Sequence, residues 1–218
     1  MMRKAIAGFV LIFAQVAQGA QAKELVIAAL GDSLTQGYGL PAEQGFVPQL
    51  ENWLDGHGGE VRLINAGVSG DTTAGGLARV DWTLTPEVDG LIVTLGGNDL
   101  LRGLDPGQAR ANISGILQAA AKADVEVLLI GMEAPGNYGP DYKAQFDAIY
   151  PELAGEFGAQ FLSSFFDGLT EGDAPADPAA LRAYFQADGV HPNAAGVTKI
   201  VGRIGPEVLN LVNRIKAD

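Results

Sequence analysis

The chain has 218 residues, 47% of them hydrophobic, with 14 basic against 26 acidic side chains, a formal net charge of −12 and no cysteine. That balance repels phosphate backbones and anionic membrane surfaces, which excludes nucleic acid as an expected partner. Without cysteine there are no disulfides and no thiol chemistry, and the fold must rest on its core.

Residues 1–22 read MMRKAIAGFVLIFAQVAQGAQA. Arg3 and Lys4 form a positive n-region, Ala5 to Ala17 is mostly apolar, and Ala20-Gln21-Ala22 is a small-x-small cleavage site. This is the pattern of a secretory signal peptide, too short and too weakly apolar for a membrane span. Its removal takes two cations and no anions, leaving 12 basic against 26 acidic residues and a charge of about −14. No later segment approaches the length of a span, so no stable membrane insertion of the mature chain is expected. Residues 23–218 have the size of a single domain.

Leu25–Leu30 is apolar without polar alternation, which predicts a strand covered on both faces and ended by Gly31-Asp32. An amphipathic stretch follows, with Phe46, Leu50, Trp53 and Leu54 on one face. Val61–Ala66 predicts a second strand, Thr72 to Trp82 a short helix, and Leu91–Leu95 a third strand. Asp105-Pro106 starts a helix that runs to about Ala123, with proline at a permitted first position. Val125–Ile130 is a fourth strand. Tyr142 to Phe157 is helical with a break or kink from Pro151, and Ala159–Leu162 is a short fifth strand. Thr170 to Ala180 is a loop rich in Asp, Pro, Gly and Ala, and Ala194 to Lys216 is helical with a break expected near Gly205-Pro206. Strands alternating with helices predict one three-layer α/β/α domain around a parallel sheet.

In such a sheet, ligands bind at the carboxyl ends of the strands. Ser33 follows the first strand at that edge and is a candidate nucleophile. Only two histidines exist. His57, in Asp55-Gly56-His57-Gly58-Gly59, joins a helix to a strand at the opposite edge and reads as a solvated turn residue. His191 stands in Asp188-Gly189-Val190-His191, where a carboxylate three residues earlier can take the proton of one ring nitrogen and leave the other as a base. Alone, that spacing also describes many surface turns. Ser69 follows the second strand, Ser114 lies in a helix pattern, and Ser163 and Ser164 follow the fifth strand. The Gly-x-Ser-x-Gly elbow of the usual α/β-hydrolases is absent. Acyl transfer also needs donors for an oxyanion. Gly70, after the second strand, permits close approach of a backbone amide, and Asn98, after the third, offers a side-chain amide. Either one alone reads first as an ordinary strand-end turn residue. Ser33, Gly70 and Asn98 nevertheless fall on one sheet edge.

With these residues in place, the sequence resembles the SGNH (GDSL-type) serine hydrolases. GDSLTQGYG matches the nucleophile block, NAGVSGDTTAGGLARV the glycine block, TLGGNDLLRG the asparagine block and DGVHPNAAG the Asp–His block, in family order, from about Glu24 to Val208. GMEAPGNYGPDY and FDAIYPELAGEF are similar to the bacterial periplasmic acyl-CoA thioesterase/lysophospholipase and arylesterase subgroup. The resemblance implies a flavodoxin-like five-stranded parallel sheet, Ser33 as nucleophile, His191 as base then acid, and Asp188 as its orienting partner. It implies an oxyanion hole from the Ser33 amide, the Gly70 amide and the Asn98 side chain. Asp32, Asp71 and Asp99 are read as holding loops. Pro135, Asn137 and Tyr138, in the loop after the fourth strand, line an acyl pocket or form a plain turn. The expected substrate is a small-molecule ester or thioester, hydrolysed without metal or cofactor in the periplasm or after secretion. A carbohydrate deacetylase of the same wider family is the alternative. A non-catalytic binding protein on this scaffold would need a degraded set of residues, and all five are present.

Overall fold

The apolar run after Glu24 becomes an inner strand of a sheet covered on both sides. The computed structural model describes residues 24–170 and 178–217. The expected signal peptide, and residues 171–177 of the expected loop, lie outside them. Five strands follow in chain order: β1 (Leu25–Gly31), β2 (Val61–Gly67), β3 (Gly90–Thr94), β4 (Glu126–Ile130) and β5 (Gln160–Leu162). All run parallel in the order β2-β1-β3-β4-β5. Each expected strand is present within one residue of its expected ends. Ile27, Leu30, Leu91, Ile92, Leu128 and Leu129 are fully buried, as unbroken apolar strands require.

The helices are α1 (Ser33–Gln36), α2 (Phe46–Asp55), α3 (Thr73–Thr83), α4 (Gly97–Leu101), α5 (Pro106–Lys122), α6 (Pro140–Asp147), α7 (Ile149–Phe157), α8 (Pro178–Arg182) and α9 (Ala194–Ala217). Two of them, α2 and α9, cover one sheet face, while α3, α5 and α7 cover the other. The chain order reverses direction across the sheet between β1 and β3, the place where such sheets open a crevice at their carboxyl ends.

Local rules explain most boundaries. Asp105 caps α5 by accepting from the Gly107 amide, with Pro106 at the first position. The expected interruption by Pro151 falls at Ala148, between α6 and α7, because the proline ring crowds the carbonyl four residues earlier and has no N–H to bond it. Two expectations are corrected. Pro178–Arg182 is a helix, so the loop expected from Thr170 to Ala180 ends earlier.

The break expected near Gly205-Pro206 is also absent: α9 is continuous with Pro206 inside it. An interior proline costs about 3 kcal/mol. Against that, Val197, Ile200, Val201 and Ile204 before the proline, and Val208, Leu211 and Val212 after it, form one buried stripe. Each such side chain contributes on the order of 1.5–3 kcal/mol on burial, so the stripe decides the outcome. Gly205 is the closest point of this packing, where a β-carbon would overlap the Trp53 ring. Gly205→Ala should therefore lower stability by about 1 kcal/mol, although helix propensity alone would raise it by about as much. Urea unfolding of the two proteins checks the sign.

Candidate active site

Asp32 follows β1 and caps the single turn of α1, its Oδ1 accepting from the Leu34 amide at 3.0 Å. Ser33 is the first residue of that turn, and Gly37 ends it in the left-handed conformation. The short turn sets Ser33 at the carboxyl edge of the inner strand, partly accessible. From the other end of the chain, the segment before α9 brings His191 to meet it. Phe185 and Pro192 form an isolated antiparallel bridge, and Gln186 accepts from Gly189 and donates to His191 through the backbone. Gly189 takes φ +69°, a conformation that L side chains rarely adopt.

Within this turn, Asp188 Oδ1 accepts from the Val190 and His191 amides at 2.9 and 3.0 Å, and Oδ2 lies 2.7 Å from His191 Nδ1. His191 Nε2 lies 2.8 Å from Ser33 Oγ. An ionised carboxylate only accepts, so the Nδ1 proton belongs to the bond with Asp188 and Nε2 accepts from the Ser33 hydroxyl. The His191 bond, followed by those two amides, pulls the Asp188 carboxyl down to about 2. The Tyr38 ring lies 4.7 Å from the imidazole, and its carbonyl accepts from the Gln186 side chain.

The remaining predicted residues fall around this chain. Asn98, in α4 after β3, shares a cavity lining with Ser33 and donates from Nδ2 to Asp32 Oδ2 at 3.2 Å. Gly70, with φ +84°, stands on the loop after β2 and outside that lining, its carbonyl accepting from Arg102. Burial pushes the Asp32 carboxyl up to about 6, against the opposing pull of the Leu34 amide and Asn98. Asp71 and Asp99 hold loops as expected: Asp99 accepts from the Thr73 amide and hydroxyl, and Asp71 pairs with Arg79 at 2.6 Å. Ser69 is spent on Gln36. His57 lies at the far end of α2, stacked on Trp53.

The cavity beside Ser33 has a volume of about 530 Å³. Pro135, Asn137 and Tyr138, in the loop after β4, are among the residues that line it. Sequence reasoning missed much of the apolar wall, including Leu100, Leu101, Met132, Phe166, Phe185 and Val190. Phe166 was within reach, since it follows β5 at the same sheet edge. A larger cavity, about 720 Å³, opens at the amino edge between Val88, Leu117, Val125 and Phe157, away from every candidate catalytic group. Among the described residues, no three His, Asp or Glu side chains cluster as metal ligands, and no helix is long and apolar enough to cross a membrane.

A flavodoxin-like sheet carrying these blocks at its carboxyl edge defines an SGNH-type hydrolase acting on ester bonds. Residues 29–199 match the GDSL-like Lipase/Acylhydrolase family, and the chain belongs to it. It is 34% identical to Esterase TesA of Pseudomonas aeruginosa over 97% of this chain and 100% of that protein. It is 37% identical to Thioesterase 1/protease 1/lysophospholipase L1 of Escherichia coli K12, over 84% of this chain and 83% of the other. The solved structure of AlinE4, an SGNH-hydrolase family esterase, superposes with a TM-score of 0.69 at 43% identity, covering 88% of this chain and 98% of that one.

Arg79, whose role sequence reasoning also missed, ties the site loops together. Its guanidinium donates to Asp71, to the Ala66 carbonyl of β2 at 2.6 Å and to the Gly31 carbonyl of β1 at 2.8 Å. Arg79→Met would take this donor from the Asp71 carboxylate and the Ala66 carbonyl, at roughly 1–3 kcal/mol for each buried one, while the Gly31 carbonyl keeps the Val68 amide. Urea unfolding should show a loss of about 3 kcal/mol, while a loss under 1 kcal/mol would mean that water replaces the guanidinium freely.

Proposed function

We propose that this hydrolase is a serine esterase that cleaves carboxylic esters or thioesters through Ser33, His191 and Asp188. The observation that carries the reading is the continuous bond chain from Ser33 Oγ to His191 Nε2, 2.8 Å, and from His191 Nδ1 to Asp188, 2.7 Å. Neutral His191 takes the hydroxyl proton as Ser33 Oγ attacks the carbonyl carbon, and the carbonyl electron pair moves onto oxygen. The Ser33 amide, the Gly70 amide and the Asn98 carboxamide receive that oxyanion. When the tetrahedral intermediate collapses, His191 returns its proton to the departing alcohol or thiol. The acyl group stays on Ser33 until water, deprotonated by His191, releases the acid. Asp188 holds the tautomer and steadies the imidazolium, and its depressed pKa keeps it ionised down to about pH 2.

The cavity supports an acyl group larger than acetyl. Its volume of about 530 Å³ falls in the range of small-molecule sites, roughly 300–1,000 Å³, and Leu100, Leu101, Met132 and Phe166 line it. A sugar deacetylase would leave most of that apolar wall unused. The relatives named esterase, thioesterase and lysophospholipase support the same substrate class. The signal pattern of residues 1–22 supports export to the periplasm. Cell fractionation and an amino-terminal sequence beginning at Lys23 would test it.

Hydrolysis of p-nitrophenyl esters from acetyl to long acyl should be abolished in Ser33→Ala, and the intact protein should prefer chains longer than acetyl. A fully active Ser33→Ala would end the serine mechanism. Removing one oxyanion donor in Asn98→Ala should lower turnover about a hundredfold or more, and steady-state kinetics of the folded variant checks it.

The Asp188 carboxylate also sets a pH dependence. Its folded pKa lies below its ordinary value, so its contribution is present above about pH 4 and lost as pH falls through about 2. The Asp188–His191 bond should therefore survive at pH 4. A low-field imidazole proton signal at that pH, absent from Asp188→Ala, is the expected NMR result.

A further inference from the structure

The proton relay leaves Asp32 unused, although this carboxylate is 2% exposed and directly precedes the nucleophile. One oxygen accepts from the Leu34 amide and the other from Asn98 Nδ2. A β-carbon on Gly97 would come within 3.2 Å of that second oxygen, so the glycine gives the carboxylate room to reach Asn98. A carboxamide has two unlike ends. Rotated by half a turn, Asn98 would present its own carbonyl oxygen where the oxyanion forms, and repel it. An ionised carboxylate only accepts, so it attracts the NH₂ end and rejects the carbonyl end.

We infer that Asp32 is a positioning residue: in its ionised form it fixes the Asn98 carboxamide with nitrogen toward the attacked carbonyl oxygen. The inference rests on the reading of Asn98 as an oxyanion donor. One amide hydrogen is held by Asp32, and the other is thereby aimed at the substrate. Protonated, Asp32 gains an O–H donor, which the Asn98 carbonyl accepts equally well, and the orientation is lost.

Burial places that change near pH 6. The titratable and charged groups near Asp32 include His191 from the loop before α9, Tyr150 from α7, Asp99 from α4, Arg79 from α3, and Glu133 from the loop after β4, which lines the same cavity and pairs with Lys143. His191 attracts the anion. Tyr150 donates to the Leu95 carbonyl, Asp99 is occupied by Thr73, and Arg79 by Gly31, Ala66 and Asp71. Because the folded pKa lies above the ordinary 3.8, stability falls as pH rises through the window from 3.8 to about 6. A neutral amide of the same shape escapes that cost but no longer selects one end of Asn98.

The test is a double-mutant cycle with Asp32→Asn, Asn98→Ala and the pair, read on a p-nitrophenyl ester. Asp32→Asn is expected to lower kcat at least tenfold with KM changed less than threefold, and its Tm at neutral pH is expected to be no lower than that of the parent. In the Asn98→Ala background the same change should cost less than twofold in kcat. A second measurement needs no Asp32 variant: the acid limb of the kcat–pH profile should lose one ionisation near pH 6 in Asn98→Ala. An undiminished Asp32→Asn effect in the Asn98→Ala background, or an Asn98→Ala profile that keeps the ionisation near pH 6, overturns the positioning role. Near-normal kcat in Asn98→Ala overturns the oxyanion-donor reading itself, and is told apart because that single variant reveals it.

Discussion

No side chain fits at the end of β1. A β-carbon on Gly31 would overlap the Thr35 side chain and press on the Thr94 carbonyl, and one on the neighbouring Gly67 would overlap the backbone of Gln36. Gly31 pairs with Gly67 on one side and Thr94 on the other, so this bare strip runs across the tops of β1 and the edge strand β2. The turn of α1 can therefore settle directly onto the strand ends. Ser33 starts that turn, and its depth fixes how far the hydroxyl stands from any base brought over the sheet. Arg79 closes the same strip from the side by gathering the Gly31 and Ala66 carbonyls at the carboxyl ends of β1 and β2.

One device recurs above this strip. A carboxylate that can only accept is set against a group that can point two ways. Asp188 selects a ring tautomer, Asp32 selects an end of a carboxamide, and Asp99 takes both the amide and the hydroxyl of Thr73, tying α4 to α3. The environments differ with the task. Asp188 is exposed and strongly bonded, so its charge is secure, whereas Asp32 is buried with two donors and pays in desolvation for its place.

Much of this was legible in the sequence because it was written locally. The strands at the centre of the sheet are largely apolar runs with glycine at or just beyond an end, and Ser33, Asn98, Asp188 and His191 sit in short blocks whose order carries information. The absent features depend on distant partners. Pro206 looks like a helix breaker because its cost is local, while the buried stripe that outweighs it appears only when α9 meets the sheet and α2. Arg79 looks like one more surface cation because two of its partners are backbone carbonyls, which sequence does not mark. The cavity wall draws on loops after β3, β4 and β5 and on the segment before α9. No periodicity brings Phe166 and Phe185 together.

The nucleophile and its base are 158 residues apart, with Ser33 on the first strand's turn and His191 just before the last helix. A polypeptide made from its amino terminus exposes Ser33 early, as an ordinary alcohol with no base beside it. The imidazole is delivered only after all five strands have been synthesised, and the helix that follows it must still dock to finish one face of the sheet. Unfinished chains are thus harmless to the esters around them, and reactivity arrives together with completeness.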